Sequence, residues 1–297
     1  MWFVLSITAL LMQTTRRSTE KRVAKNIDSM ALTWIQQAAG MPFIIISLFL
    51  AKFYWPDQLP VHFWQLMAIY AIGSSIDVYC YFKAITIADI SYVAPLLSLV
   101  AVGNIAGAYF VLGQTPTGMG VLGAFMIMSG AYLINLAKRR QKVDVRNSQI
   151  ALVLVLISVV VRSYYSNIEV NMLRVSNPTT FNFYSSLVSI PLILFVTALV
   201  LRQRRDHHAD YWQKLETGVR NHLWPLAIIG LTYTLNLLAT FQAKLLSPNA
   251  GYVGAIKSAS VLPIVLIGIF FFKERVSPMQ WVGVAFIVGG LVTIGIN

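Results

Sequence analysis

Long apolar stretches alternate with short polar connections along almost the whole chain. Each stretch is roughly 20 residues long, which is the length an α-helix needs to cross the apolar core of a bilayer. Backbone polar groups find no water there, so such stretches are expected to be helical. The predicted spans cover residues 30–50, 63–82, 90–112, 118–137, 149–172, 179–201, 223–243, 250–272 and 278–296.

The N-terminal segment is mixed in character. Its apolar run from Trp2 to Met12 is too short to cross a bilayer, and the polar stretch 13–22 follows it. No basic region precedes the run and no small-residue cleavage site follows it, so a signal peptide is a poor interpretation. We count the segment as a tenth span, because the segment that begins at Ala151 changes from apolar to polar in the same way. The polar halves of both segments are expected to face protein or a wet cavity.

The two halves of the chain also match in register, at an offset of 149 residues for the first two spans and 160 for the later ones. The matched pairs include Glu20–Glu169, Pro42–Pro191, Tyr92–Tyr252, Ser98–Ser258, Gly123–Gly283 and Gly130–Gly290. Five spans per half is an odd number, so the halves cross the membrane in opposite senses. The sequence thus predicts an all-α membrane protein of ten transmembrane helices in two inverted five-helix repeats, residues 1–138 and 149–297, joined by a basic linker at 139–148. Inverted repeats are typical of secondary transporters, which hold substrate near the midplane.

Composition excludes the soluble classes of protein. The chain is 57% hydrophobic and 11% charged, whereas soluble domains carry roughly a quarter charged residues. The single cysteine, Cys80, excludes disulfides within the chain and Cys-based metal sites, and the four histidines lack metal-ligand spacing. The sequence has no nucleotide-binding loop and no Ser/His/Asp pattern. We therefore predict no cofactor, no metal and no enzymatic activity.

Basic residues concentrate in every second connection and give a net charge of +12. The clusters lie at 16–25, at 138–146 and in a predicted polar loop at 202–221. They are typical of anchors to anionic lipid and do not indicate a nucleic-acid site. The distribution predicts a multi-pass protein of the cytoplasmic (cell) membrane with both termini on the same side, and the positive-inside rule places that side outside the cell.

A few ionic groups fall inside the spans, where an unpaired charge costs several kcal/mol. Lys257 lies about 7 residues into its span, roughly 10 Å below the start. It either faces an interior cavity, which we favour because Ser258 and Ser260 flank it, or extends to the membrane surface.

Two polar stripes at helical spacing carry the acidic candidates. Gln13, Arg17 and Glu20 form one stripe, and the repeat-related stripe consists of Arg162, Ser166 and Glu169. The glutamates either face a shared cavity, where they could pair with Lys257 or Arg162 or carry a proton, or pair locally with Lys21 or Arg174 at the surface.

The remaining polar candidates have equally open roles. Asp77 is expected to face the interior, with a structural partner as probable as substrate contact. For Asn236 we favour a role in an interhelical hydrogen bond over contact with substrate. Tyr92 and Tyr252 either stack on a planar substrate or, as we favour, anchor the interface.

Packing and gating candidates come from prolines, glycines and one further glutamate. The candidates are Pro95 and Pro263 as flexure points, Glu274 as a brace for a gate, and Gly283 and Gly290 as smooth packing faces. A homodimer contact through such a glycine face is a lesser alternative.

Several segments resemble a known family. Residues 271–283 (FFKERVSPMQWVG) and 287–290 resemble the end of an EamA domain of the drug/metabolite transporter superfamily, and Ala255–Ser258 is similar to the entry of its ninth helix. Residues 81–84 and 91–98 resemble the helix 3–4 junction of the first domain. Two features depart from the pattern: Gln114 stands where a glutamate usually closes the fourth helix, and the first helix is unusually basic at Arg16 and Arg17.

The resemblance implies ten helices in two inverted units and transport of a small metabolite, often outward, without ATP hydrolysis. It also implies cytoplasmic termini more often than not, against the charge distribution. We expect a secondary transporter of an amino-acid-like, sugar-like or drug-like molecule that works by alternating access, with proton coupling as one option. The alternatives are an uncoupled facilitator or exchanger and, less favoured, a membrane-embedded enzyme or accessory protein of lipid-linked metabolism.

Overall fold

The structure, a computed structural model, describes residues 1–24, 26–88, 93, 96–137, 145–203, 208–263, 265–266 and 277–296. Over these ranges the chain is helical and contains no strand. The α-helices are α1 (Trp2–Val23), α2 (Ser29–Leu50), α3 (Val61–Ile87), α4 (Val100–Leu112), α5 (Gly118–Ala137), α6 (Val145–Val175), α7 (Pro178–Gln203), α8 (His208–Asn221), α9 (Leu223–Leu246), α10 (Ala250–Ser258) and α11 (Pro278–Gly295).

Six of the described helices are long and apolar enough to cross a membrane. They are α2, α5, α6, α7, α9 and α11. The outer surface is correspondingly apolar, and Phe49, Phe110 and Trp224 are each more than three quarters exposed. Helices α1 and α3 have the length of a span but carry more polar and charged residues. Among these, Gln13 of α1 and Asp77 of α3 are buried in the protein interior, as described below.

A close contact between α5 and α11 joins the two halves through glycines. A Cβ built on Gly123 of α5 would lie 2.8 Å from the carbonyl oxygen of Gly290 in α11, and one on Gly290 would lie 2.5 Å from that of Gly123. Gly130 and Gly283 stand in the same relation, at 2.5 and 2.7 Å. In the repeat, Gly123 corresponds to Gly283 and Gly130 corresponds to Gly290. Exchanging the two halves therefore turns the Gly123–Gly290 contact into the Gly283–Gly130 contact. A two-fold relation between the halves requires this reciprocity.

Other helix contacts follow the same reciprocal rule. Helix α3 packs along α6, and its repeat equivalent α9 packs along α1. Helix α9 also contacts α2, while α3 contacts α7. At the chain ends, the ring of Phe3 lies against Gly295, so the first turn of α1 meets the last turn of α11.

The prediction of a polar loop at 202–221 is wrong, because this segment contains helix α8. Its apolar side chains Tyr211, Leu215 and Val219 recur every four residues and pack against Val23 and Ile27 between α1 and α2. The segment is too polar to span a membrane, yet this spacing gives it one apolar face. A reading based on span length alone therefore missed it.

The predicted span 250–272 is interrupted. Helix α10 ends at Ser258, and a tight turn follows in which Ala259, Ser260 and Leu262 each donate a backbone hydrogen bond to the residue three positions earlier. The repeat-equivalent span, 90–112, contains a 3₁₀ turn at Leu97–Leu99 before α4 begins. The α-helix is therefore interrupted at 97–99 in the first repeat and just after Ser258 in the second, at nearly equivalent positions. Discontinuous helices of this kind surround the substrate sites of many inverted-repeat transporters.

Candidate functional site

Asp77 of α3 forms the most completely hydrogen-bonded ionic contact of the described interior. The Nε atom of Arg162 donates to Asp77 Oδ2 at 2.9 Å, and a terminal guanidinium nitrogen donates to Oδ1 at 3.1 Å. The hydroxyls of Ser158 and Tyr165 add donations at 2.5 and 2.8 Å. All three donors come from α6, so the carboxylate fastens the first half of the chain to the second. The bidentate guanidinium and the two hydroxyls together supply hydrogen bonds to both carboxylate oxygens.

Glu169 of α6 pairs with Lys244 of α9. The Nζ atom of Lys244 donates to Glu169 Oε1 at 2.6 Å and to the Ser166 hydroxyl at 2.7 Å. Both side chains are almost fully buried, at 3% exposed for Lys244 and 7% for Glu169. This corrects the sequence analysis, which placed Lys244 in a connection and offered Arg174 as the local partner of Glu169.

Glu20, the repeat partner of Glu169, has a different environment. It lies 3.4 Å from Nε of Arg16 one turn earlier in α1, and its side chain is 23% exposed. The contact is local, as one alternative held, and its described partner is Arg16. The side chain of Lys21, the expected partner, lies outside what the structure describes. The Arg16 guanidinium also lies over the ring of Tyr233, 5.5 Å from its centroid.

The other two members of the first polar stripe meet at the break after α10. Gln13 Nε2 and a guanidinium nitrogen of Arg17 each donate to the Ser260 hydroxyl at 3.2 Å. Gln13 is buried, whereas Arg17 stays exposed even though it reaches this interior hydroxyl.

Lys257 faces the interior of the protein. Its Nζ atom donates to Asn236 Oδ1 at 3.3 Å, and Asn236 in turn donates to the carbonyl of Ala9 at 2.5 Å. Asn236 thus makes the interhelical hydrogen bond that the sequence favoured and also binds the lysine. Within the described ranges Lys257 forms no ion pair with a carboxylate, whereas Asp77 and Glu169 pair with Arg162 and Lys244.

A polar cavity of about 140 Å³ lies beside these groups, between α2, α3, α6, α7 and α9. Its lining is rich in hydroxyl groups, and three buried serines of α7 project from one side. The lining residues are Thr33, Gln37, Tyr70, Ser74, Val78, Tyr165, Ser185, Ser186, Ser189, Ile193 and Tyr233. Tyr165 joins the cavity to Asp77, and Tyr233 joins it to Arg16.

Asn182 lies one turn before the cavity serines on α7. It is fully buried, and neither atom of its amide has a hydrogen-bond partner among the described residues. An unmet amide normally costs 1–3 kcal/mol. The Asn182 amide therefore points to water or a polar ligand on this side of α7.

Comparison with known proteins decides the family. The chain matches the EamA-like transporter family over residues 1–136 and 149–296. It belongs to that family. The sequence contains two EamA repeats, and the protein is a multi-pass membrane transporter, as the resemblance implied.

Two individual proteins illustrate the likeness. A protein of Sinorhizobium sp., described as an uncharacterized transporter in the cobO 3' region, is 28% identical over 114 residues, which are 38% of this chain and 76% of that protein. A solved crystal structure superposes with a TM-score of 0.71 at 15% identity, over 99% of this chain and 96% of that chain. At that identity the superposition shows the fold alone.

Some predicted site residues of this EamA protein lie away from the charged groups. Tyr252 is buried against α5, where its hydroxyl accepts the Thr117 N–H at 2.8 Å. The Ser258 hydroxyl donates to the Gly254 carbonyl in its own helix, and its neighbour Ser260 binds the first polar stripe. Gly283 and Gly290 pack against α5, and Pro263 follows the break after α10. Tyr92, Pro95 and Glu274 lie outside the described residues.

Gln114, the departure from the family pattern, has a definite role. Its side-chain oxygen accepts the Ala250 N–H at 2.8 Å, and its carbonyl accepts the Asn249 amide at 3.1 Å. Asn249 itself caps α10 by accepting the Gly251 N–H at 2.9 Å. The connection after α4 thus satisfies the free donors at the start of α10.

Lys244 and the hydroxyl groups that line the cavity were not among the site residues predicted from the sequence. Lys244 fell outside the predicted span 223–243 by one residue, although Leu245 and Leu246 continue the apolar run. The serines of α7 recur at helical spacing with Asn182, so they form a polar stripe visible in the sequence. The tyrosines carry no such signal, because tyrosine also occurs at membrane interfaces.

Proposed function

We propose that this EamA protein is a secondary transporter that carries a small polar metabolite across the cell membrane by alternating access. Ten spans in two inverted repeats with both termini on one side belong to this proposal. The reciprocal contacts between the halves and the contact of Phe3 with Gly295 support it. The two halves would rock around the interior polar groups, which both repeats contribute.

The hydroxyl-lined cavity is the observation that carries the proposal. Serine, threonine and tyrosine hydroxyls both donate and accept, so they bind the polar groups of a metabolite. The volume, about 140 Å³, is below the roughly 300 Å³ at which drug-sized sites begin. It supports an amino-acid-like or sugar-like substrate over a drug-like one.

The contacts of Asp77 favour the uncoupled alternative, a facilitator or exchanger. A proton-coupling carboxylate must release its partners to take up a proton. Asp77 accepts four hydrogen bonds and Glu169 accepts one from the buried Lys244, so protonation of either carboxylate would disrupt these contacts.

Transport by purified protein in liposomes tests the proposal. Radiolabelled amino acids, sugars, organic acids, phosphate esters and amines are offered to proteoliposomes and to protein-free liposomes, with and without a pH gradient. We expect uptake of at least one class and faster uptake when the vesicles contain the same unlabelled compound, because a carrier returns faster when loaded. Uptake that ignores the internal compound would argue for a channel, and no uptake of any class would contradict the function.

A further inference from the structure

The charges at the centre of the bundle do not balance. We define the central charged cluster as Arg16, Arg17, Glu20, Asp77, Arg162, Glu169, Lys244 and Lys257. Its three carboxylates are each matched with one cation, in the pairs Glu20–Arg16, Asp77–Arg162 and Glu169–Lys244. Arg17 and Lys257 are left over.

The two remaining cations hydrogen-bond only to neutral groups within the described part of the chain. Arg17 donates to the Ser260 hydroxyl and Lys257 to the Asn236 amide. Lys257 lies within electrostatic range of Lys244, Glu169, Arg16 and Arg17. Arg17 and Lys257 meet at the same feature, since Ser260 stands in the turn three residues after Lys257.

Neither cation forms an ion pair among the described residues. Two neighbouring cations at membrane depth repel each other, which is costly unless water or an anion neutralises them. Extension to the membrane surface does not relieve this cost, because both side chains are held by interior partners. Arg17 remains exposed and Lys257 is partly exposed, so both can be reached by a ligand. The guanidinium offers a planar fork for an oxyanion, and the ammonium offers a point charge.

From this arrangement we propose that the transported metabolite carries a carboxylate or phosphate group, which Arg17 and Lys257 bind together beside the break after α10. The inference rests on the proposed function and narrows its substrate class. The shared chemistry is an oxyanion, whose source is a small metabolite and not a lipid headgroup. A bound oxyanion also relieves the repulsion that the two cations have in its absence.

The test compares substrate classes and two neutralised variants. Proteoliposomes containing wild-type protein, Arg17→Gln or Lys257→Gln are offered succinate, glutamate and glycerol 3-phosphate, with glucose and putrescine as uncharged and cationic comparisons. We expect wild-type protein to carry at least one anion, and each variant to raise its KM at least tenfold, a change of about 1.4 kcal/mol. Arg174→Gln removes an exposed cation at the end of α6 and should leave KM within twofold.

The outcomes separate this inference from the function. Transport of glucose or putrescine alone would keep the transporter and overturn the anionic substrate. Unchanged anion KM in both variants would overturn the roles of Arg17 and Lys257. Failure to carry any compound would contradict the function itself.

A binding measurement and two charge-conserving variants test the inference if the neutralised variants fold poorly. Arg17→Lys and Lys257→Arg keep the charge and should retain part of the affinity. The unfolding temperature of each purified variant is measured in neutral detergent with the same compounds, because a ligand of the folded state raises it. Stabilisation by phosphatidylglycerol but by none of the small anions would assign the cations to a lipid headgroup and overturn the metabolite.

Discussion

Asp77 of α3 and Arg162 of α6 form a bidentate ion pair across the two halves of the chain, with nitrogen–oxygen distances of 2.9 and 3.1 Å. The partners differ in access to solvent: the Asp77 side chain is 3% exposed and that of Arg162 is 33% exposed. Loss of the arginine therefore strands a buried carboxylate, whereas loss of the aspartate leaves a cation that water can still reach. Removal of Arg162 and removal of Asp77 should therefore destabilise the contact between α3 and α6 by different amounts.

Arg162→Gln should consequently cost more stability than Asp77→Asn. Breaking a buried pair costs about 3–5 kcal/mol when a charge is left uncompensated, and we expect Arg162→Gln in that range and Asp77→Asn about 2 kcal/mol lower. Chemical unfolding of the purified protein in one detergent measures both. The double variant leaves two neutral groups and should recover part of the loss, whereas strictly additive losses would show that the two residues do not interact.

The repeat-related glutamates give a second contrast. Glu169→Gln leaves Lys244 buried without its partner and should lower the free energy of unfolding by about 3 kcal/mol. Glu20→Gln makes the same change at the equivalent position of α1, where the pair with Arg16 is local and partly exposed. It should cost at most about 1 kcal/mol. Equal losses in the same unfolding assay would refute the difference between the two sites.

The fold class could be predicted because a bilayer imposes one rule on every span. The apolar lengths and the register of Gly123, Gly130, Gly283 and Gly290 indicated a helical repeat protein, and the described helices agree with it. Two local features could not be predicted in this way. Helix α8 depends on a narrow apolar face. The breaks at 97–99 and after Ser258 fall within apolar segments, and the second lies where Ser260 accepts hydrogen bonds from Gln13 and Arg17.

Most side-chain contacts within the site could not be predicted from the sequence. Polar stripes on α1 and α6 placed Arg17 on one helix face and Arg162 with Glu169 on another, because a period of 3.6 residues identifies a helix face. The partner of each residue depends on the neighbouring helix, which the stripe does not identify. Lys244 was not a candidate because the predicted span ended one residue before it. Asp77 was expected inside, but its partner Arg162 follows from the packing of α3 along α6.

Adjacent glycines of α11 offer a test of the contact between the halves. A Cβ on Gly290 would lie 2.5 Å from the Gly123 carbonyl oxygen, and backbone cannot move aside easily. A Cβ on Gly289 would meet only the terminal methyl of Met126, which can rotate away. Gly290→Ala should therefore destabilise the protein by about 1–3 kcal/mol.

Gly289→Ala is the matched control and should be neutral or stabilising by up to about 1 kcal/mol, since alanine favours helix more than glycine does. The midpoint of chemical unfolding is the measurement for both. Tolerance of Gly290→Ala would mean that α5 and α11 do not approach as closely as described.

The cavity serines provide the last prediction, which concerns transport directly. Ser189→Leu would place an apolar side chain in the cavity of about 140 Å³, removing a hydroxyl and excluding a polar substrate. We expect at least a tenfold lower transport rate for whichever compound the wild-type protein carries, with an unchanged or raised unfolding temperature, because the added carbon atoms fill empty space. Thr197→Val lies on the same helix, fully buried and outside the cavity lining, where its hydroxyl donates to the Ile193 carbonyl at 2.8 Å. This control keeps the side-chain shape, so its transport rate should stay within twofold of wild type, and full transport by Ser189→Leu would exclude the cavity from the substrate path.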